Sequence, residues 1–353
     1  MTAPAVQRLR RLWQQRVRPA VAPSLGPMTV MASEESFEPV PHDRIQSLTL
    51  RDVAVGESWG RPWHTTWFKL SATVPAIGER FVAHVDLGFS GRGDGFQVEG
   101  LAWQNGRRVQ AVQPDRRLVP VEVSASGETC EVELWIEAAA TPIIAGHAFG
   151  YGPTPLGDPR TAGDAPLYVL RRADLCMVDE HVAQLAVALQ SVMDLVIDLE
   201  PRDPYRARLF SIVQDLEDII DPGDVSGSAQ AAMSFLRSRL RAIPGTPAGL
   251  GKGLHRIVAT GHAHLDTAWL WPVRETRRKA VRTFVNAVDL LKRNGDMVFS
   301  HSQAQHYSWV REDAPEVFAE VQRLVDRGQW EPVGGMWVET DLNLPAGESL
   351  LRQ

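Results

Sequence analysis

Gly261-His262-Ala263-His264-Leu265-Asp266-Thr267-Ala268-Trp269-Leu270-Trp271 is the stretch on which the fold turns. It follows a short apolar run, Ile257-Val258-Ala259, and precedes a long helical pattern from Arg274 to Arg293. A buried strand that runs into a polar loop and then a helix opens a βα unit, and α/β folds put their active-site loops at that strand end. Residues two apart on extended chain point the same way, so His264 and Asp266 can converge on one point. Imidazole nitrogen plus carboxylate oxygen is a donor pair suited to zinc or another first-row divalent ion.

Outward from that stretch the alternation continues. Met297-Val298-Phe299 reads as a second strand, Ala314 to Arg327 as a second helix and Trp330 to Val333 as a third strand. This is the rhythm of a parallel sheet covered by helices. Upstream, Pro244 to Gly253 is dense in proline and glycine and reads as a linker. Residues 176–243 carry helical periodicity. Val182, Leu185, Leu189, Val192, Met193 and Val196 mark one helix, which Pro201 and Pro204 end. Leu209, Ile212, Val213, Leu216 and Ile220 mark a second, and Ala232, Phe235, Leu236 and Leu240 a third.

From residue 46 to 175 the period is two. Phe68, Leu70, Ala72 and Val74 alternate with Lys69, Ser71 and Thr73, and Val132, Leu134, Ile136 and Ala138 with Glu131, Glu133, Trp135 and Glu137. Phe81, Ala83, Val85 and Leu87 alternate with Val82, His84 and Asp86, which puts His84 on an exposed side. Asn105-Gly106 sits between two such runs, the favoured pair for a type I′ hairpin turn. Short alternating strands with turns between them predict an antiparallel β-sandwich. Residues 1–45 are expected to hold an amphipathic helix, with Val6, Leu9, Leu12, Trp13 and Val17 on its apolar side, and then a surface connection from Ala22 to Asp43. The arginines and missing acids of Met1 to Ser33 would also suit a targeting segment.

The 353 residues are enough for at least two domains. A net charge of −6 without clustered basic residues excludes a nucleic-acid surface. No apolar run is expected to reach the length needed to cross a bilayer, so no membrane partner is expected. Cys130 and Cys176 are read as thiols of a reducing cytosol, with a single bridge between them as the alternative.

The wording of the motifs reaches further. Gly261 to Trp271, Arg274-Glu275-Thr276, Ser302-Gln303-Ala304-Gln305, the run Glu331 to Glu339 and Pro345 to Leu350 together resemble glycoside hydrolase family 38, the α-mannosidases. The order is closest to the branch containing cytosolic and bacterial enzymes. Trp59-Gly60 and Thr65-Thr66-Trp67-Phe68 are similar to that branch's N-terminal module. The resemblance implies that residues 254–353 open a (β/α) barrel that is incomplete at its C-terminal end. It implies that His264 and Asp266 are two ligands of one divalent ion, zinc first, with cobalt or manganese as alternatives. Trp269 would hold the mannose to be cleaved. Asp341 is carried as a second substrate-binding candidate, weighed with Glu339 against a capping or solvated role. The implied activity is metal-dependent, configuration-retaining hydrolysis of terminal α-mannosides from oligosaccharides, in the cytoplasm, with the oligomeric state left open. Retention needs a nucleophilic carboxylate and an acid/base carboxylate. The resemblance puts the nucleophile beyond Gln353, so no catalytic residue is assigned within the chain, and this stretch alone is expected to be inactive.

Two rivals remain. Amidohydrolases also present His-x-His after a first barrel strand, which would make His262 and His264 the ligands. Alternatively, the sandwich is a carbohydrate-binding module that stacks sugars on tryptophans such as Trp103. His262, His301 and His306 are otherwise read as structural.

Overall fold

The computed structural model describes residues 3–75, 80–90, 97–123, 128–144, 154–243, 258–339 and 346–352. The chain divides into two compact units, one of Met1–Leu25, Glu79–Val82 and Cys176–Ile257, the other of Gly26–Gly78, Ala83–Leu175 and Val258–Gln353.

The first unit is helical. Its N-terminal helix forms as the apolar spacing predicts: α1 (Ala3–Leu12) passes through a π-helical turn (Trp13–Val17) into α2 (Arg18–Ala20). Leu9 and Val17 are buried, and Trp13 Nε1 donates to the Ala186 carbonyl at 3.0 Å. Then come α3 (Glu180–Asp198), α4 (Pro204–Glu217) and α5 (Val225–Arg241), begun by Asp179, Asp203 and Asp224. Each aspartate accepts a backbone N–H that the first turn leaves unpaired. Pro204, read as a stop, instead starts α4, where its missing N–H has no partner to lose. One expectation fails here. By length and composition alone, α3 is apolar enough to cross a membrane. Its buried residues, Val182 to Val196, belong to the core shared by the helices of this unit.

The second unit carries the β-layer, which begins earlier than expected. The segment read as a surface connection contains β1 (Ser24–Pro27) and β2 (Thr29–Ser33). There follow β3 (Leu50–Asp52), β4 (Ser58–Trp59), β5 (Thr65–Pro75), β6 (Phe81–Asp86), β7 (Glu99–Gln104), β8 (Arg107–Val112), β9 (Leu118–Pro120), β10 (Thr129–Ala139), β11 (Tyr168–Val169) and β12 (Arg172–Met177). One sheet runs β3-β2-β5-β10-β7-β8 with antiparallel pairing throughout, and a second runs β1-β12-β6-β9. β2 pairs with β5 through Val30↔Leu70 and Ala32↔Phe68, a match too short to show against its Pro- and Ser-rich surroundings. Asn105 and Gly106 join β7 to β8 with φ of +50° and +74°, the type I′ turn that the pair predicts.

Both faces of the longer sheet are covered. Phe68, Leu70, Val132, Leu134 and Ile136 are buried on one. There Gly100 lets Leu87 approach, since a Cβ would lie 2.9 Å from Ile136 Cγ2 and 3.1 Å from Leu87 Cδ1. Trp67, Trp103 and Trp135 lie on the other and share a core with Trp271, Val281 and Phe284. Trp103 is therefore not a sugar platform: it is 6% exposed, stacked on His42 at 4.1 Å and covered by Arg108 at 4.2 Å. His84 is likewise half-buried rather than exposed, and burial, with Arg172 and Arg117, lowers its pKa to about 4.

The α/β part follows in β13 (Gly261–His262), α6 (Val273–Arg293), β14 (Phe299–His301), α7 (Ala304–Asp313), α8 (Pro315–Asp326), β15 (Trp330–Pro332) and α9 (Gly347–Arg352). The three strands are parallel in the order β13-β14-β15. The first two begin later than the apolar triplets indicate, because their ladders run through Gly261, His262, Ser300 and His301. α7 was not anticipated. The expected linker from Pro244 to Gly253, and Ile257, lie outside the described residues.

Candidate functional site at the C-terminal ends of the parallel strands

The loops after all three parallel strands meet. His264 and Asp266 follow β13, Ser302 follows β14 and Glu339 follows β15. His264 Nε2 stands 3.2 Å from Asp266 Oδ1, and its Nδ1 stands 3.0 Å from Glu339 Oε2. The Ser302 hydroxyl donates to the other oxygen of Glu339. In the tautomer that gives its Nδ1–H to Glu339, His264 turns its Nε2 lone pair toward Asp266. Two acceptors then face each other, an arrangement that a cation between them satisfies. Donors each about 2.1 Å from a common ion stand about 3 Å apart, so the pair fits a divalent metal. It remains a pair: among the described residues no group of three or more His, Cys, Asp or Glu side chains is placed to hold a metal ion. All three side chains are substantially open to solvent.

His262 takes no part in the pair. Its Nδ1 donates to the Ser300 carbonyl at 2.9 Å, across the strand ladder. His301 and His306 lie underneath and are buried, as a structural role requires. Burial lowers their pKa values to about 3 and about 4 respectively, which keeps both imidazoles neutral. For His301 the neighbouring His306 and His262 act in the same direction.

The tryptophans of the stretch divide. Trp271 is 7% exposed, and its Nε1 donates to Thr276 Oγ1 at 2.9 Å. The same hydroxyl accepts from the backbone N–H of Ala268, which sits at φ +62°. That turn leaves Trp269 46% exposed, edge-on to Trp271 with ring centroids 5.8 Å apart. Beside them is a cleft of about 550 Å³ lined by Trp63, Trp269, Trp271, Pro272, Thr154 and Asp158.

The sequence singles out His264, Asp266 and Trp269 and weighs Glu339 against a capping role; in the structure Glu339 faces His264. Ser302, Gln303 and Thr267 were seen only as motif letters. Asp341 lies outside the described residues.

Comparison with known proteins bears on these features. Residues 254–353 match the glycosyl hydrolases family 38 N-terminal domain, and residues 26–176 match an α-mannosidase jelly roll domain. The latter range takes in β2, in agreement with the early start of the sheets. The chain is similar to alpha-mannosidase 2C1 of Homo sapiens, 31% identical over 332 residues, which cover 93% of this chain and 30% of that protein. It is similar to alpha-mannosidase of Saccharomyces cerevisiae, 29% identical over 330 residues, and to alpha-mannosidase G of Dictyostelium discoideum, 29% identical over 319. The chain thus spans roughly three tenths of the length of the curated relatives it matches.

Proposed function

The chain belongs to the glycosyl hydrolase family 38 α-mannosidases, and on that premise we propose that it carries the metal-binding and sugar-stacking part of a retaining α-mannosidase site. The observation that carries the reading is the meeting of His264, Asp266 and Glu339 at the C-terminal strand ends, one turn away from an exposed tryptophan. The parallel strands β13, β14 and β15 are in this reading the first three of a barrel.

His264 and Asp266 hold the ion, zinc in the first instance. Once bound, the ion orients ring hydroxyls and stabilises charge that develops in the transition state. Glu339 takes the Nδ1–H of His264, fixes its tautomer and leaves Nε2 free to bind. Ser302 holds Glu339 from the far side. Trp269 lays its face against the apolar side of the mannose ring. Retention also requires a nucleophilic and an acid/base carboxylate, and no side chain within residues 1–353 is given either role.

Metal analysis of the purified protein tests this. About one divalent ion per chain is expected, zinc in preference to calcium, as suits a nitrogen and oxygen donor set. His264→Ala and Asp266→Ala should each abolish tight binding, since even an outer partner's loss costs about 10–100-fold. Trp269→Ala should leave the metal in place and impair turnover of an aryl α-mannoside by the protein that carries this chain. Unchanged metal content in His264→Ala rules the reading out.

A further inference from the structure

One side chain grips both chain neighbours of Asp266, the backbone of one and the hydroxyl of the other. Gln303 Nε2 donates to the Leu265 carbonyl at 2.8 Å, and Gln303 Oε1 accepts from the Thr267 hydroxyl at 2.7 Å. The amide orientation is fixed by chemistry, because a carbonyl oxygen can only accept and must face the NH₂ group. Thr267 has one proton, now committed to Gln303. His306 Nε2, 2.9 Å from the same hydroxyl oxygen, is therefore the donor there. His306 Nδ1 is then left to accept from His301 Nε2 at 3.0 Å. The hydrogen bonds run one way, from His301 through His306, Thr267 and Gln303 to the backbone beside Asp266. All three polar side chains at its base, His301, His306 and Gln303, are at most 4% exposed.

The backbone of Gln303 is also unusual. It sits at φ +66°, a region that residues with a side chain rarely adopt. Its position precedes α7, where a side chain ordinarily caps the helix, and it makes no such cap. The strained backbone instead turns the amide under the loop after β13. Strain of this kind, held in place by surrounding hydrogen bonds, clusters at functional sites.

We propose that Gln303 is the positioning residue of the site: it holds Leu265 by its carbonyl and Thr267 by its hydroxyl, on either side of Asp266, so that the carboxylate stays opposed to His264 Nε2. The inference rests on the reading of His264 and Asp266 as metal donors. Loosening the clamp should widen the geometry without removing a donor.

Cobalt(II) titration of the purified chain, followed by its visible absorption bands, reads both affinity and coordination geometry. Gln303→Leu should weaken cobalt binding about 10–100-fold, the range for lost outer partners, and should shift the bands. Thr267→Val should do the same, and the double variant should be no worse than either single one, since both break one clamp. Thr267→Ser, which keeps the hydroxyl, should restore binding and bands to wild-type values. Should Gln303→Leu fail to fold, the contrast between Thr267→Val and Thr267→Ser decides. Wild-type affinity and spectrum in a folded Gln303→Leu, or equal behaviour of Val and Ser at position 267, overturns the proposal. A wild-type chain that binds no cobalt overturns the metal reading itself.

Discussion

Two charged clusters flank the start of α6, and they are built in opposite ways. The first is a seam between the sandwich and α6. There Glu99 Oε2 lies 2.9 Å from Lys279 Nζ and 2.8 Å from Arg282 Nη2, and Glu275 completes the set by pairing with Arg282. These side chains are 2–6% exposed. Burial alone would raise the pKa of Glu99, but Lys279 and Arg282 outweigh it and hold it at about 2. The second cluster is His264, Asp266 and Glu339, whose side chains are 38–56% exposed. In the seam every charge is answered by another charge, so it coheres and offers nothing to a ligand. At the rim, hydrogen bonds fix the direction of each group while lone pairs stay open to solvent. In the proposed reading, the difference separates charges that hold the fold from charges arranged for chemistry.

The largest expected effect breaks the seam. Glu99→Ala leaves two buried cations without their shared anion and should cost about 3–5 kcal/mol of stability. In metal-free protein, Asp266→Ala at the rim should change stability by less than about 0.5 kcal/mol, as exposed substitutions do. Thermal melts of the two variants read the contrast directly. Equal losses would erase it.

Acid sharpens the same comparison. The buried His301 and His306 have folded pKa values of about 3 and about 4, below the ordinary 6.5, so the unfolded chain binds the extra protons. Stability should therefore fall as pH drops from 6.5 through those values. Glu99 is depressed from 4.5 to about 2, so its contribution is fully present above 4.5 and is lost as pH falls through about 2. A melting temperature that holds level from pH 7 to pH 4 would show that the histidines are not buried neutral.

A small stability effect is also expected at Trp269. Trp269→Ala should cost less than about 1 kcal/mol, whereas a buried tryptophan such as Trp271 should cost about 3–5 kcal/mol. On the proposed function, binding of an α-mannoside, measured by calorimetry, should weaken with Trp269→Ala. A large loss of stability there would make Trp269 a core residue.

Local signals were legible in the sequence. Asn105-Gly106 specified its turn, the apolar stripes specified the helices, and the His264–Asp266 spacing specified their convergence. What escaped depends on partners distant in the chain. β2 is a strand because β5 offers it an edge, and Trp103 is buried because the core it joins includes residues of α6. Glu339 faces His264 from 75 residues away, which only the parallel register of β13, β14 and β15 arranges. Gln303 reads as an ordinary polar residue until its positive φ turns it inward.

The central claim is that His264 and Asp266 share a metal ion. X-ray absorption on the zinc-loaded protein tests it most directly. The expected spectrum has a nitrogen and oxygen shell at about 2.0–2.1 Å with the outer scattering of an imidazole, and His264→Ala should lose that imidazole feature together with tight binding. A sulfur shell near about 2.3 Å, or an imidazole feature that survives in His264→Ala, would contradict it.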